Sequence, residues 1–429
     1  MGLRIVLIAI GSGGDVNPVL GIASRLRDRG HDVLFCTNPH FRRSADELGL
    51  AFEAIGAEQE YLDATLDTRL WNPMRGLEVV ASGVVATLER TRDLAREALR
   101  GPGPGVVVSA ALGMGARLER DLSSFPLVTL QLAPSALVSV DQPPRLLPGV
   151  DLRRVKKWFR RVTYAATGAI TDWHLRAINH RRRELGLARE RRLLLRWANS
   201  PDRVLGLWPA WFGPVAPDWP AQLRLTGFAT FDGVRQAEMA PDVDAFIARH
   251  GPPVVFAPGT ANRFAGGFFA AGLEACARLK RPALMLTPFG EQVPQPLPGA
   301  RDSSNGDAAM HARYVPLAAL LPRCAALVHH GGIGTTARGF GAGVPQVVCP
   351  MAFDQFDNAE RAMGLGAARV VAWREVTAQT LESALGAVLG NAHLRDAANE
   401  LAHRVLAHDG IHAAADEIEA MGGRAGLQA

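Results

Sequence analysis

The sequence is poor in lysine and cysteine. Three lysines accompany 44 arginines, and the four cysteines are scattered, with no C-x-x-C pair among them. Such cysteines exclude a disulfide scaffold and a cysteine-based zinc site, and they favour a reduced, cytoplasmic compartment. No apolar run reaches the roughly 18 residues that a membrane-spanning helix needs. The sequence therefore predicts a cytoplasmic protein with no transmembrane helix.

The remaining composition is typical of a globular α/β protein. Hydrophobic residues make up 48% of the 429 residues, enough for two or three domains with full cores. Apolar runs alternate with helical periodicity, first at Leu3–Ile10 and Pro18–Arg29, and again from Val254–Ala257 onward. This alternation predicts right-handed βαβ units on parallel sheets. We therefore expect two doubly wound Rossmann-like domains facing across a cleft, with ligands at the carboxyl ends of the strands.

A stretch rich in proline and tryptophan separates the two halves. Pro209–Pro220 holds four prolines and two tryptophans, which is typical of a linker. The sequence therefore predicts an N-terminal domain of residues 1–220 and a C-terminal domain of residues 221–405. Residues 406–429 are expected to form a C-terminal helix that packs back on the N-terminal domain.

One segment is far more basic than the rest. Residues 151–203 hold 15 Arg and Lys against five acids, so the remainder of this +5 chain is net acidic. Trp158 and Phe159 beside these bases suit an interfacial helix at an anionic membrane surface, and a solvated helical face is the alternative. No nucleic-acid recognition motif accompanies the charge, so we expect no nucleic-acid partner.

Two glycine-rich segments follow predicted strands. The first, Gly11–Val16, is expected to be a loop, with a helix starting near Pro18. The second, His329–Thr336, reads His-His-Gly-Gly-Ile-Gly-Thr-Thr and opens a predicted helix. Glycines let the backbone approach an anion closely, and a helix N-terminus offers unpaired N–H groups to a phosphate. His330 and Thr335 add side-chain donors, so this segment is a candidate phosphate site.

Other interpretations fit the second segment in part. A tight strand–helix turn without a ligand is one of them. The spacing Gly332-x-Gly334-x-x-Ala337, with Asp354 downstream, also fits the dinucleotide fingerprint loosely and leaves a nicotinamide oxidoreductase open. Neither glycine-rich segment carries a Walker lysine, so ATP hydrolysis by a P-loop is not expected.

Taken in order, these motifs resemble those of the GT-B-fold nucleotide-sugar glycosyltransferases. The segment from Gly11 to Pro18 is similar to the acceptor-side loop of the bacterial natural-product and sterol branch. The donor-site signature of the family is matched by His330–Thr335, Gly343-Val344-Pro345, Pro350 and Asp354-Gln355. Further stretches are similar to the rhamnosyltransferases of rhamnolipid synthesis, among them Arg69–Pro73, Pro209–Pro214, Asp218–Pro220, Thr226–Phe228 and Phe353–Arg361.

The resemblance implies an inverting, metal-independent enzyme that needs no cofactor besides its nucleotide-sugar donor. Residues 1–220 would bind the acceptor and residues 221–405 the donor. The transferred sugar would be L-rhamnose from dTDP-L-rhamnose, and the acceptor a hydrophobic alcohol such as a hydroxyalkanoyloxyalkanoate lipid. The alternatives are a UDP-sugar-dependent transferase of a polyketide, sterol or peptide aglycone, a nicotinamide oxidoreductase, and a non-catalytic nucleotide-binding subunit.

The resemblance also implies roles for particular residues. Asp15 would be the base that deprotonates the acceptor hydroxyl, and helix capping is its alternative role. Gly14, Trp71 and Ser135 are expected near the acceptor. His330 would stabilise the leaving diphosphate together with backbone N–H groups; His329 is the alternative phosphate contact and would otherwise face the core. The expected donor-binding residues are Gly259, Thr260, Tyr314, Val315, His330, Gly332, Gly334, Thr335, Asp354 and Gln355.

One departure from the family pattern bears on the donor. Arg338 stands where many UDP-dependent relatives carry a Glu that holds the ribose hydroxyls, and this is compatible with a thymidine donor, which lacks the 2′-hydroxyl. The expected partners are therefore a nucleotide sugar and a hydrophobic hydroxylated acceptor. Peripheral contact with the inner membrane, or with a membrane-associated partner subunit, is a further expectation.

Overall fold

The computed structural model describes residues 2–98, 105–233, 239–297 and 308–425. These residues form two compact units. The first unit contains the described residues up to 145, residues 149–233 and residues 409–425. The second contains residues 146–148 and the described residues from 239 to 408. The predicted boundary at residue 220 therefore falls inside the first unit, because Leu223–Leu225 forms the last strand of its sheet.

The first unit is built on a parallel sheet of seven strands in the order β3-β2-β1-β4-β5-β6-β7. Its central strands are buried on both faces, which explains their continuous apolar runs. The order reverses between β1 and β4, so the loops that follow these two strands lie at the topological switch point. The strands are β1 Arg4–Ile8, β2 Asp32–Thr37, β3 Ala51–Ala54, β4 Gly105–Ala110, β5 Leu127–Gln131, β6 Arg203–Gly206 and β7 Leu223–Leu225.

Helices flank this sheet. They are α1 Gly13–Asp28, α2 Arg42–Glu47, α3 Glu58–Leu66, α4 Gly76–Ala86, α5 Leu88–Ala98, α6 Met114–Leu122, α7 Lys157–His174 and α8 Arg176–Glu184. The first begins five residues before the predicted start at Pro18, so part of the expected Gly11–Val16 loop is helical. The reason is local: Ser12 and Asp15 form a capping box that starts the helix earlier.

The second unit contains a parallel sheet of six strands in the order β10-β9-β8-β11-β12-β13. The order reverses between β8 and β11, which are paired along their whole length. The strands are β8 Val254–Ala257, β9 Ala283–Leu286, β10 Ala309–Ala312, β11 Ala326–His329, β12 Gln346–Val348 and β13 Ala368–Val370. The helices are α9 Pro241–His250, α10 Gly266–Leu279, α11 Leu317–Leu320, α12 Ile333–Gly341, α13 Gln355–Gly364, α14 Ala378–Gly390 and α15 Ala392–Leu406. The prediction of two Rossmann-like α/β domains is confirmed.

The last helix, α16 Gly410–Ala425, packs in the first unit. Its apolar residues, including Ile418, share a core cluster with those of α1. Arg29 at the end of α1 reaches Asp416 at 2.7 Å and Glu419 at 2.9 Å. The helix thus lies against the first sheet although the chain reaches it through the second unit. Residues 426–429 of the predicted C-terminal segment lie outside the described residues.

Candidate donor and acceptor sites

Asp15 lies in the first turn of α1, at the carboxyl end of β1. Its Oδ2 accepts hydrogen bonds from the Ser12 backbone N–H at 2.7 Å and from the Ser12 hydroxyl at 3.0 Å. Gly11 has φ +135°, and a Cβ at this position would lie 2.3 Å from Oδ2. Only glycine meets both requirements. Gly11 and Ser12 therefore fix the carboxylate at the switch point of the first sheet.

The surroundings of Asp15 make it a stronger base than an ordinary aspartate. Burial raises its pKa above the usual value of 3.8, and the hydrogen bonds from Ser12 only partly oppose this effect. The residue nevertheless keeps part of its surface accessible. Both hydrogen bonds from Ser12 go to Oδ2, so Ser12 does not use Oδ1. The capping role is therefore compatible with a second role in which Oδ1 takes a proton.

The three remaining acceptor candidates differ in how exposed they are. Gly14 is exposed and shares the first turn of α1 with Asp15. Trp71 ends a short 3-10 turn and is partly buried, and its indole Nε1 makes no hydrogen bond with a described residue. Ser135 is buried in another 3-10 turn, Pro134–Ala136. Its burial leaves little of its surface for an acceptor, so Gly14 and Trp71 are the accessible members of this set.

His330 lies between two glycine-containing loops of the second unit. One loop follows β8 and carries Gly259, at φ +104°; the other follows β11 and carries Gly332. A Cβ at residue 259 would lie 3.1 Å from Nε2 of His330, and a Cβ at residue 332 would lie 2.6 Å from it. The absence of side chains at both positions makes room for the imidazole. The structure thus brings Gly259, His330 and Gly332 together at the switch point of the second sheet.

His330 is uncharged at neutral pH. Burial lowers its pKa to about 4, against a smaller opposing effect of the Ala257 backbone. Its Nδ1 is buried and makes no hydrogen bond with a described residue. A buried polar atom without a partner is costly in a folded protein. An anion bound beside the ring would raise the pKa of His330 and so favour its protonated form.

The neighbouring His329 has its contacts inside the second unit. It is fully buried. Its Nδ1 accepts a hydrogen bond from the Gly331 backbone N–H at 3.1 Å, so the proton is carried by Nε2, which lies 2.9 Å from Oε1 of Gln346. Burial, followed by the nearby His330, lowers its pKa to about 3. His329 therefore holds the glycine loop, and of the two histidines only His330 keeps part of its surface accessible.

The first turn of α12 adds backbone donors beside His330. Gly332 is the N-cap residue, and Gly334 and Thr335 lie within the first turn with part of their surfaces accessible. The N–H groups at the start of a helix have no partners within the helix and carry its positive dipole end. Thr260, directly after Gly259, is exposed. This combination of N–H groups, a histidine and hydroxyls suits a phosphate.

Asp354 and Gln355 stand at the start of α13. Asn358 Nδ2 donates to Asp354 Oδ2 at 2.7 Å and to the Gly331 carbonyl at 3.0 Å, which ties α13 to the His330 loop. Gln355 is buried, and its Oε1 accepts from the backbone N–H groups of Met351 and Ala352. The proposed sugar-binding role is therefore easier to assign to Asp354 than to Gln355, whose amide oxygen holds the preceding turn.

The predicted base-binding turn lies between β10 and α11. Tyr314 is 61% exposed and Val315 is buried. An exposed aromatic ring beside a fixed backbone is compatible with stacking on a pyrimidine. Three further residues support the site although the sequence assigned them no role: Gly11, Gln346 and Asn358. Gly11 and Asn358 lie in segments that the sequence analysis singled out, Gly11–Val16 and Phe353–Arg361, whereas no local pattern marks Gln346.

Two family models match the sequence. The one described as "Glycosyltransferase family 28 N-terminal domain" matches residues 5–115, which include Asp15. The one described as "Erythromycin biosynthesis protein CIII-like, C-terminal domain" matches residues 303–421, which include the His330 loop and Asp354. Each match therefore covers one of the two candidate sites.

Individual proteins are similar over nearly the whole chain. The sequence is 28% identical to an O-mycaminosyltylonolide 6-deoxyallosyltransferase from Streptomyces fradiae, over 97% of each chain. The solved structure of the glycosyltransferase of kitacinnamycin has a TM-score of 0.71 at 22% identity, covering 98% of this chain and 99% of that one. A spinosyn rhamnosyltransferase complexed with thymidine diphosphate has a TM-score of 0.64 at 19% identity, covering 97% and 100%.

These similarities decide between the functional classes left open by the sequence. The solved structures support the fold, and the two family models and the 6-deoxyallosyltransferase support sugar transfer rather than oxidoreduction. The chain is a glycosyltransferase with the GT-B fold.

Proposed function

We propose that the protein is an inverting, metal-independent glycosyltransferase that moves L-rhamnose from dTDP-L-rhamnose to the hydroxyl of a hydrophobic acceptor, such as a hydroxyalkanoyloxyalkanoate lipid. The observation that carries the proposal is the position of His330 between Gly259 and Gly332, beside the first turn of α12. This arrangement places an imidazole beside the N–H groups at the start of a helix, which have no partners within the helix, and both suit one anion.

The donor would be held in the second unit. Its diphosphate would accept hydrogen bonds from His330 and from the N–H groups of Gly334 and Thr335, with Thr260 near the outer phosphate. Tyr314 would stack on the base beside the Val315 backbone, and Asp354 would accept hydrogen bonds from the sugar hydroxyls. Because these groups place positive potential at the leaving phosphate, the reaction requires no metal ion to balance the developing charge.

Asp15 would act as the general base. The acceptor hydroxyl loses its proton to the Asp15 carboxylate, and its oxygen forms a bond to the anomeric carbon. The bond between that carbon and the diphosphate oxygen breaks, and the electron pair leaves with the nucleoside diphosphate. Attack on the side opposite the leaving group inverts the configuration. The raised pKa of Asp15 supports this role, since a more basic carboxylate takes the proton more readily.

The choice of a thymidine-linked deoxysugar rests on three observations. The relative from Streptomyces fradiae is named for transfer of 6-deoxyallose. A structural neighbour named as a rhamnosyltransferase binds thymidine diphosphate. Arg338 occupies the position at which many UDP-dependent relatives carry a ribose-binding Glu. The first observation favours a deoxysugar, the second favours a thymidine diphosphate donor, and the third is compatible with one.

A polyketide aglycone is the second candidate acceptor. It is favoured by the names of the same relatives, one acting on O-mycaminosyltylonolide and the other on spinosyn. In this case the donor site keeps its residues, and the donor is either a dTDP-deoxysugar or a UDP sugar.

A lipid acceptor would also bring the enzyme to the inner membrane, directly or through a membrane-associated subunit. No helix of the described residues is long and apolar enough to cross a bilayer.

A nucleotide panel followed by product analysis tests these proposals. Thermal shift with dTDP, UDP, GDP and NAD is expected to show the largest stabilisation by dTDP. Mass spectrometry with dTDP-L-rhamnose should then detect a rhamnosylated hydroxyalkanoyloxyalkanoate and no product with macrolide aglycones. Preference for UDP would contradict the donor, and product only with an aglycone would replace the lipid acceptor with the second candidate.

A further inference from the structure

Helix α7, Lys157–His174, has two unlike faces. The inner face carries Tyr164, Gly168 and Thr171, which are buried against α4 and the helical turn Leu193–Trp197. Gly168 lets the Arg192 side chain approach closely, since a Cβ there would lie 3.2 Å from it. This packing fixes the rotation of the helix on the first unit and leaves the opposite face in solvent.

The outer face of α7 is apolar over its whole length. Trp158 and Trp173 are each 61% exposed, and Val162 and Ile170 are each 57% exposed. The alanines at 165, 166 and 169 between them are also exposed. At 100° per residue these side chains, with Phe159, fall within an arc of roughly 140°, and the two tryptophans lie about 22 Å apart along the axis. Isolated exposed apolar residues are ordinary on a protein surface, whereas a continuous stripe marks an interaction site.

Bases border this stripe, and one of them, Lys157, is paired with Asp141. Lys156, Lys157 and Arg161 are exposed at its N-terminal end, and the Arg176 guanidinium lies 4.7 Å from the Trp173 ring at the other end. The single acid of the helix, Asp172, turns inward, where it accepts hydrogen bonds from the backbone N–H groups of Arg192 and Leu193. Arg160 also turns inward and donates to the Val140 carbonyl. The helix therefore offers solvent an apolar stripe bordered by bases.

We propose that this outer face of α7 docks on an anionic phospholipid surface, with the helix axis in the plane of the membrane. Tryptophans at both ends, aliphatic residues between them and flanking bases are the composition of an interfacial helix. Each base attracts anionic headgroups, and the charge complementarity favours a lipid surface over an apolar groove in a partner protein. The docking deepens the proposed function, since it would bring the enzyme to a lipid acceptor.

Vesicle flotation of the whole protein tests the docking without requiring turnover. The wild type is expected to float with vesicles of phosphatidylcholine and phosphatidylglycerol, and far less with phosphatidylcholine alone. Trp158→Ser/Trp173→Ser should abolish flotation, and Lys156→Gln/Arg161→Gln should reduce binding to anionic vesicles about fivefold per base removed. The matched control is Leu406→Ser, which alters an apolar residue of the second unit that is 76% exposed and should float like the wild type.

Several results would overturn the proposal. One is equal binding to neutral and anionic vesicles, and another is flotation that the tryptophan substitutions leave unchanged. A third is gel filtration in which the wild type elutes as a dimer and the tryptophan variant as a monomer. The stripe would then join two copies of the chain. Unchanged thermal stability would show that the variants fold. Turnover with a short, water-soluble acceptor distinguishes the docking proposal from the proposed function. If the protein floats with anionic vesicles but transfers no sugar to this acceptor, only the proposed function is contradicted.

Discussion

The imidazole of His330 rests directly on the backbone of Gly332: a Cβ added there would lie 2.6 Å from Nε2. The glycine is therefore needed to accommodate the histidine, whether or not its N–H group also meets a phosphate. The same ring contacts Gly259 on the neighbouring loop. Two loops from adjacent strands thus fix a single side chain at the point where the strand order reverses.

Gly332→Ala should displace His330 and weaken dTDP binding. A hydrogen bond to a charged group contributes about 1.5–3 kcal/mol, so its loss corresponds to a roughly ten- to hundredfold increase in Kd by calorimetry. His330→Ala should give a comparable increase. Gly386→Ala is the matched control, because a Cβ at residue 386 of α14 meets nothing within 4 Å. Wild-type affinity in both Gly332→Ala and His330→Ala would remove His330 from the donor site.

Asp15→Asn should abolish most of the turnover and leave dTDP affinity unchanged. The amide keeps an oxygen that accepts from the Ser12 N–H but cannot take the acceptor proton. Loss of a general base lowers kcat by about 100- to 10,000-fold. Ser12→Ala is the companion variant, since it removes only the hydroxyl bond to Oδ2 and should retain much of the activity. If Asp15→Asn turned over at the wild-type rate, another group would have to be the base.

The same substitution should stabilise the fold at neutral pH. Burial raises the pKa of Asp15 in the folded protein above 3.8, so the folded state binds more protons than the unfolded state between these two pKa values. The cost of the carboxylate to stability therefore builds up as the pH rises from 3.8 to the folded pKa, stays constant above it and vanishes below 3.8. Thermal unfolding from about pH 4 to about pH 8 should show that the advantage of Asp15→Asn over the wild type first grows with pH and then levels off. A variant that is less stable at neutral pH would show that the carboxylate is stabilised in the fold.

The structure also shows how much of this site is contained in local sequence. The strands β8 and β11 coincide with the apolar runs Val254–Ala257 and Ala326–His329, because parallel strands buried on both faces are continuous in hydrophobicity. The glycine loop after β11 follows from its spacing. The helix α1 starts five residues before the predicted position at Pro18, because Ser12 and not Asp15 is its N-cap residue.

Contacts between distant residues could not be predicted in this way. The bond between His329 and Gln346 joins the ends of two neighbouring strands, and neither residue carries a local pattern that identifies the other. The link from Asn358 to Gly331 likewise depends on where α13 packs. The family resemblance marks the residues that are expected to contact the donor and the acceptor, whereas the contacts that hold those residues in place are defined only by the tertiary structure.

Gln346→Leu should destabilise the second unit and loosen the donor loop. It leaves the Nε2 proton of His329 buried without an acceptor and removes the donor to the Thr336 carbonyl. An unsatisfied buried donor costs about 1–3 kcal/mol in urea unfolding. Because His329 Nδ1 holds the Gly331 N–H, dTDP affinity should fall in the same variant. Gln59→Leu on the exposed surface of α3 is the control and should change the free energy of unfolding by less than about 0.5 kcal/mol. Equal stability of Gln346→Leu and wild type would mean that His329 finds another partner and does not position the loop through this pair.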